Sequence, residues 1–258
     1  MGALQPDKGG GEDAFVTKIC LSFSTHFLCY KAKRTEGEEK FNKFDVSLSD
    51  QFETKTHVVK KVVSLCNPAV KTFFDDDSIV EDEATHLVGY KIKKAKGESK
   101  HFKQKNIQVV DQFGTILVDT KKPDRLLLPS VKDPVSAVDL PVPFSHNVDH
   151  FKCYKVKMSK DALKFLPVRV TIQDQFVDKL FKVKKPTRLC VPVDEKGAEV
   201  VKKDVVPPDH LMCYKVRREV DEPKFSRLKG IHVNNQFGPR ELDAKKIEEL
   251  CVPATKTP

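Results

Sequence analysis

The sequence predicts an all-β fold of four homologous repeats of about 60 residues, barrel- or sandwich-like, with disulfides inside the repeats. Three observations predict it. One strand-like block returns with His-to-His steps of 60, 64 and 60 residues. Apolar and polar residues alternate with period two through that block. The cysteines appear, and disappear, in pairs.

Residues 1–25 read as a flexible arm with no basic-then-apolar leader pattern, in which Lys18-Ile19-Cys20-Leu21 faintly resembles a closing strand. Repeat 1 spans 26–85 and opens with His26-Phe27-Leu28-Cys29-Tyr30-Lys31. Repeat 2, 86–149, opens with His86-Leu87-Val88-Gly89-Tyr90-Lys91 and has no cysteine. Repeat 3, 150–209, opens with His150-Phe151-Lys152-Cys153-Tyr154-Lys155, and repeat 4, 210–258, with His210-Leu211-Met212-Cys213-Tyr214-Lys215.

Each repeat then has the same middle: Asp50-Gln51-Phe52, Asp111-Gln112-Phe113, Asp174-Gln175-Phe176 and Asn235-Gln236-Phe237. Each has the same close: Leu65-Cys66-Asn67-Pro68, Leu126-Leu127-Leu128-Pro129, Leu189-Cys190-Val191-Pro192 and Leu250-Cys251-Val252-Pro253. Ile107 to Phe113 and Ile116 to Thr120 predict a hairpin turned around Gly114. The Lys-Lys-Pro steps at Lys121 and Lys184 predict strand ends, because proline cannot donate to a ladder. Glu241 to Leu250 suits a short turn of helix, and 67–85, 128–149 and 193–209 read as inter-repeat loops or short strands.

The cysteines predict three disulfides: Cys29 with Cys66, Cys153 with Cys190, and Cys213 with Cys251. Repeat 2 carries Gly89 and Leu127 at both places, and joint loss is what a bonded pair produces. Bridged Cα atoms lie within about 7 Å, so first and last strands of a repeat should be neighbours. Cys20 is left unpaired or available to another chain. Zinc is set aside: His26 and Cys29, three apart in a strand, face opposite ways, and His86 persists without cysteine. Disulfides predict an extracytoplasmic location.

Among polar groups, Asp75, Asp76, Asp77 and Glu81 form a candidate cation or ligand site through carboxylate oxygens. Asp-Gln-Phe, present in every repeat, reads as a structural strand end. The four tyrosines, one per repeat, read as core on the apolar face of their strands, hydroxyls toward a rim. His26 and its equivalents read as strand-start residues bonding neighbouring backbone.

The blocks His-x-x-Cys-Tyr-Lys-Val-Lys, Asp-Gln-Phe and Lys-Lys-Pro-x-Arg-Leu-Cys-Val-Pro resemble an uncharacterised tandem repeat of secreted proteins from environmental bacteria. The resemblance runs from His26 to Pro253 and is most specific in repeats 3 and 4; repeat 2 departs in its cysteines and repeat 4 in Asn235. It implies secretion and repetition, and no activity.

The net charge of +9 and mean hydropathy of −0.42 describe a solvated basic chain, its lysines spread along the sequence. No apolar run approaches a membrane span. No nucleophile-elbow, phosphate-loop, His-Glu-x-x-His or cofactor-binding motif is present, so neither an enzyme nor a cofactor is expected. The expected function is a binding, adhesion or structural module at the cell surface. Its partner would be an anionic polymer, another protein or further copies of itself, rather than nucleic acid. A small-ligand or metal carrier using clefts between repeats is the alternative.

Overall fold

Alternation gives the opening strand of each repeat two faces, one with the tyrosine and one with the cysteine and lysine. The computed structural model, which describes residues 25–73, 76–77, 80, 82–139, 148–195 and 210–257, turns this two-sidedness into a ring. The opening strands are β1 (His26–Arg34), β5 (His86–Lys94), β8 (Phe151–Met158) and β12 (His210–Arg218). Short middle strands follow: β2 (Phe44–Ser49), β6 (Ile107–Asp111), β9 (Val168–Asp174) and β13 (Leu228–Asn234). Long closing strands complete each repeat: β3 (Thr54–Phe73), β7 (Gly114–Asp133), β10 (Asp178–Pro192) and β14 (Arg240–Thr257). Two-residue strands β4 (Asp76–Asp77) and β11 (Asp194–Glu195) come after β3 and β10.

Every opening strand lies antiparallel between the long strand of its own repeat and that of the repeat before. Thus β5 lies between β7 and β3, β8 between β10 and β7, and β12 between β14 and β10. β1 lies between β3 and β14, so the last repeat pairs with the first and eight strands close into a ring. Closure leaves these eight without an exposed edge.

One ion pair identifies the inner face. Arg125 on β7 and Glu249 on β14 sit four strands apart in either direction around the ring, yet Nη1 and Oε2 are 3.1 Å apart. They meet across the interior, and they share the parity of the cysteines. The inner core is correspondingly small: Phe27, Leu87, Leu127, Phe151, Leu211 and the six cysteines. The outer face carries the larger core, centred on the tyrosines and covered by loops and middle strands.

The three disulfides form as the cysteine pattern requires. Each joins residues directly opposite in register, with Cα atoms 3.9 Å apart. They lie side by side: Cys29 Sγ is 3.7 Å from Cys251 Sγ, and Cys190 Sγ is 3.8 Å from Cys213 Sγ. In repeat 2 Leu127 fills the gap, and Gly89 opposite is obligatory. A Cβ there would lie 3.0 Å from Leu127 Cδ2 and collide with Ser64 Oγ. The bridges and the Phe27, Leu87, Phe151 and Leu211 layer fill the ring, so its upper mouth is blind.

Two local expectations are corrected. Lys121-Lys122-Pro123 and Lys184-Lys185-Pro186 do not end strands, because β7 and β10 run through them. The register shifts there instead, and a bulge places proline where its missing N–H breaks no ladder bond. Glu241 to Leu250 is strand, not helix, since it belongs to β14 and pairs with β1 on one side. The predicted hairpin at Gly114 forms, with that glycine at φ +108°.

Beyond the disulfide layer the long strands cross to the opposite repeat. The end of β3 pairs with β9, β7 with β13, β14 with β6, and β11 after β10 with β2. The same opposite-repeat rule governs the Asp-Gln-Phe block. Its aspartate caps its own turn, as where Asp174 Oδ1 accepts from Phe176 N at 2.8 Å and Val177 N at 2.9 Å. It also accepts the opposite tyrosine hydroxyl. Tyr154 reaches Asp50 at 2.7 Å, Tyr214 reaches Asp111 at 2.5 Å, Tyr30 reaches Asp174 at 2.8 Å, and Tyr90 meets Asn235. The block is therefore structural. The hydroxyls are sealed rather than rim-exposed, and His26 donates to the Gln112 side chain at 2.9 Å rather than to backbone.

Candidate anion-binding cup and one polarised quadrant

Two residues above the cysteines, strand alternation brings the next inward layer into the mouth. Lys31 faces Ser64, Lys91 faces Arg125, Lys155 faces Arg188, and Lys215 faces Glu249. That layer sets six cations against one carboxylate. Arg125 and Arg188 are braced: Arg125 by Glu249 and Glu248, Arg188 by Asp124 at 2.9 Å and by Glu249. The four lysines are exposed. Above them the long strands carry Lys60-Lys61, Lys121-Lys122, Lys184-Lys185 and Lys245-Lys246. Lysines scattered in the sequence thus converge at one end of the molecule, because each occupies the same place in a cyclic repeat. The result is a blind cup lined with positive charge.

Cavities open along this rim. One of about 650 Å³ lies over β8, β10, β12 and β14, with Lys155, Arg188 and Lys215 in its wall. A larger one, about 850 Å³, lies over β3, β5 and β7, with Lys91, Arg125, Lys121 and Lys155 in its wall.

At the foot of the larger cavity the four-fold pattern breaks. Lys152 stands where the other repeats have Leu28, Val88 and Met212. Glu53 replaces Gly114, Val177 and Gly238. His101, eleven residues after Tyr90, replaces Phe41, Phe165 and Phe225; His57, nine before Cys66, replaces Val118, Phe181 and Leu242. These four polar departures come from three repeats, yet Lys152, Glu53 and His101 meet at Tyr154, and His57 lies within reach of the charges of Lys152, Glu53 and Asp50.

Glu53 is the hub. Its Oε1 is 3.1 Å from Lys152 Nζ, and its Oε2 is 2.9 Å from Lys55 Nζ and 3.0 Å from His101 Nδ1. Lys152, with no exposed side-chain surface, also lies 3.3 Å from Asp50. Burial works to raise the Glu53 pKa, but His101, Lys55 and Lys152 outweigh it and hold the carboxyl well below the usual range. Burial and then the charge of Asp50 push the Tyr154 hydroxyl far up, so it stays protonated and donates. Glu53 is thus a fixed negative charge at neutral pH.

His57 is buried, and its Nδ1 lies 3.1 Å from the carbonyl of Lys55. Burial and the charge of Lys152 lower its pKa, so the ring is neutral. A carbonyl only accepts, so Nδ1 carries the proton and Nε2 is an acceptor; it has no partner.

Of the residues singled out from sequence, the six disulfide cysteines line the cup's floor. Cys20, Asp75 and Glu81 lie outside the described residues, and Asp76–Asp77 form β4 against the end of β3. Among the described residues no group of three or more His, Cys, Asp or Glu is placed to hold a metal ion, and no helix is long and apolar enough to cross a membrane. Sequence reading missed Lys152, Glu53, His57 and His101. The signal was there: a polar residue in a column that is otherwise apolar or glycine.

The architecture defines a disulfide-braced cyclic β-repeat protein, and its bridges indicate an extracellular environment. A family model described as a repeat of unknown function, DUF7450, matches residues 86–253, and the chain belongs to that family. Comparison with curated proteins and with solved structures gave no match.

Proposed function

We propose that this chain is a secreted, non-enzymatic binding module that takes an anionic polymer into its basic cup at a bacterial cell surface. The observation that supports this reading is the inward layer of six cations against one carboxylate, closed below by disulfides and rimmed by lysine pairs. A cup is low in dielectric on all sides but one, so its charges reinforce each other at the mouth. Its floor is rigid, which lowers the ordering cost of binding. Exposed lysines confer salt-sensitive attraction rather than covalent chemistry. A second reading, a carrier of small anionic ligands, is favoured by the cavity of about 850 Å³ alone.

Retention on a sulfated or carboxylated polysaccharide resin tests the proposal. Lys91→Glu/Lys155→Glu/Lys215→Glu removes three cup lysines. Lys43→Glu/Lys164→Glu/Lys224→Glu makes the same charge change on the exposed outer loops. The cup variant should elute at much lower salt than the control. Equal elution of the two would remove the cup from the function, and one-to-one binding of a monomeric anion without polymer retention would favour the carrier.

A further inference from the structure

Two buried polar atoms beside the larger cavity lack partners, and they are of opposite kinds. Arg125 Nε is a cationic donor, and His57 Nε2 is a neutral acceptor. Both residues line the cavity over β3, β5 and β7, together with Lys91, Lys121 and Lys155. Repeats 3 and 4 place Phe181 and Leu242 where His57 stands, so an acceptor here is not needed to build the ring.

The complement of such a wall is a group bearing negative charge and, within one cavity, a hydroxyl that can donate. A bare phosphate chain supplies charge but has no donor at neutral pH. An acidic sugar supplies both. We propose that this cavity holds one hydroxylated acidic sugar unit of the polymer, with its carboxylate or sulfate ester on Arg125 and the neighbouring lysines and a ring hydroxyl donating to His57 Nε2. This rests on the anionic-polymer reading and adds to it a subsite and a ligand class. In the free chain Nε2 is shielded from solvent, so the hydroxyl reaches it as the flexible lysine side chains of the wall rearrange around the bound unit. The polarised quadrant then has a purpose: Lys152 adds to burial in keeping His57 neutral, and Glu53 holds Lys152, Lys55 and His101 in place.

The test is calorimetric titration of the full chain with oligogalacturonate, which has carboxylates and hydroxyls, and with inorganic polyphosphate, which has charge only. His57→Phe installs the residue that repeat 3 uses at this position. It should weaken oligogalacturonate binding tenfold or more and leave polyphosphate binding unchanged, with an unaltered melting curve. If the variant is unstable, the ring-nitrogen NMR shift of His57 in the native chain is the second measurement: Nε2 should move on adding oligogalacturonate and not on adding polyphosphate. Equal losses for both ligands, no loss for either, or an unmoved Nε2 signal would overturn the subsite. Polyphosphate binding without any oligogalacturonate binding would overturn the sugar assignment and leave the anion reading standing. No binding of either would remove both.

Discussion

Repeat 2 lacks a disulfide although its backbone is built for one, and restoring it tests the whole cyclic argument. Gly89 and Leu127 are directly opposite in register, as are the three bonded pairs, whose Cα atoms are 3.9 Å apart. Gly89→Cys/Leu127→Cys should therefore form a fourth bridge without moving the chain. Shortening Leu127 removes one of the three groups that exclude a side chain at 89; Ser64 Oγ can rotate away, and the Arg125 side chain, whose Cδ lies 3.0 Å from the new Cβ, has only to give slightly. The new link spans 38 residues. Closing a loop of that length takes about 13 cal/mol/K from the unfolded chain, about 4 kcal/mol at 25 °C. The loss of buried Leu127 offsets part of this, so the reference is Gly89→Ala/Leu127→Ala, which loses the same side chain. Against that reference the oxidised variant should gain about 4 kcal/mol, a urea midpoint shift of about 1.5–2 M for a domain of this size. Thiol titration of the denatured, unreduced chain should find no more thiols than in the parent, whose seven cysteines less six bridged leave Cys20. Two additional thiols, or a gain under about 1 kcal/mol, would refute the claim that repeat 2 is geometrically equivalent to the others.

Three further outcomes are expected. Lys152→Met should destabilise the chain by about 3–5 kcal/mol, because it strands buried Glu53 and Asp50; Lys152→Met/Glu53→Gly/His101→Phe, each residue borrowed from another repeat, should restore the loss in urea unfolding. His86, buried beside the charge of Lys132, has its pKa pushed down to about 3; the unfolded chain takes up this proton near pH 6.5 and the folded chain does not, so the stabilisation is whole above 6.5 and drains as pH falls toward 3. Asp111, raised to about 6 by burial, works in the opposite sense in both proteins, so between pH 6.5 and 5 the parent should lose about 2 kcal/mol more than His86→Leu in urea titrations. Gly89→Ala alone should lower the melting temperature by several degrees, since its methyl meets Ser64 and Leu127.

Much of the fold is legible in the sequence because symmetry multiplies weak signals. One alternating octapeptide proves little, but four at constant spacing, with matched middles and closes, define strands, and paired absence in repeat 2 defines the bridges. Closure was not legible. Nothing local marks β1 as a partner for β14, because closing a ring is a property of strand count and tilt rather than of any residue. Lys-Lys-Pro misled for a related reason: proline forbids a ladder bond, but a bulge removes the need for one. Glu241 to Leu250 has helix-forming residues, yet Leu242, Ala244 and Leu250 are required by the shared outer core, and tertiary packing overrides propensity.

The cup and the quadrant show two ways in which a candidate site escapes a linear reading. Lysines that look dispersed along the chain are concentrated by the repeat itself, one from each copy of the same position. The quadrant is the converse, since its residues matter because they break the repeat. Lys152, Glu53, His57 and His101 come from three different repeats and converge only because each tyrosine is packed by the repeat opposite and the repeat before, as where Phe52 and His101 flank Tyr154. A buried lysine held by two carboxylates is a poor route to stability when Leu, Val or Met fills the same site elsewhere in the molecule. Three quadrants show that the fold does not need it, so its presence in the fourth, beneath the basic cavity of about 850 Å³, is the strongest reason to look for the ligand there.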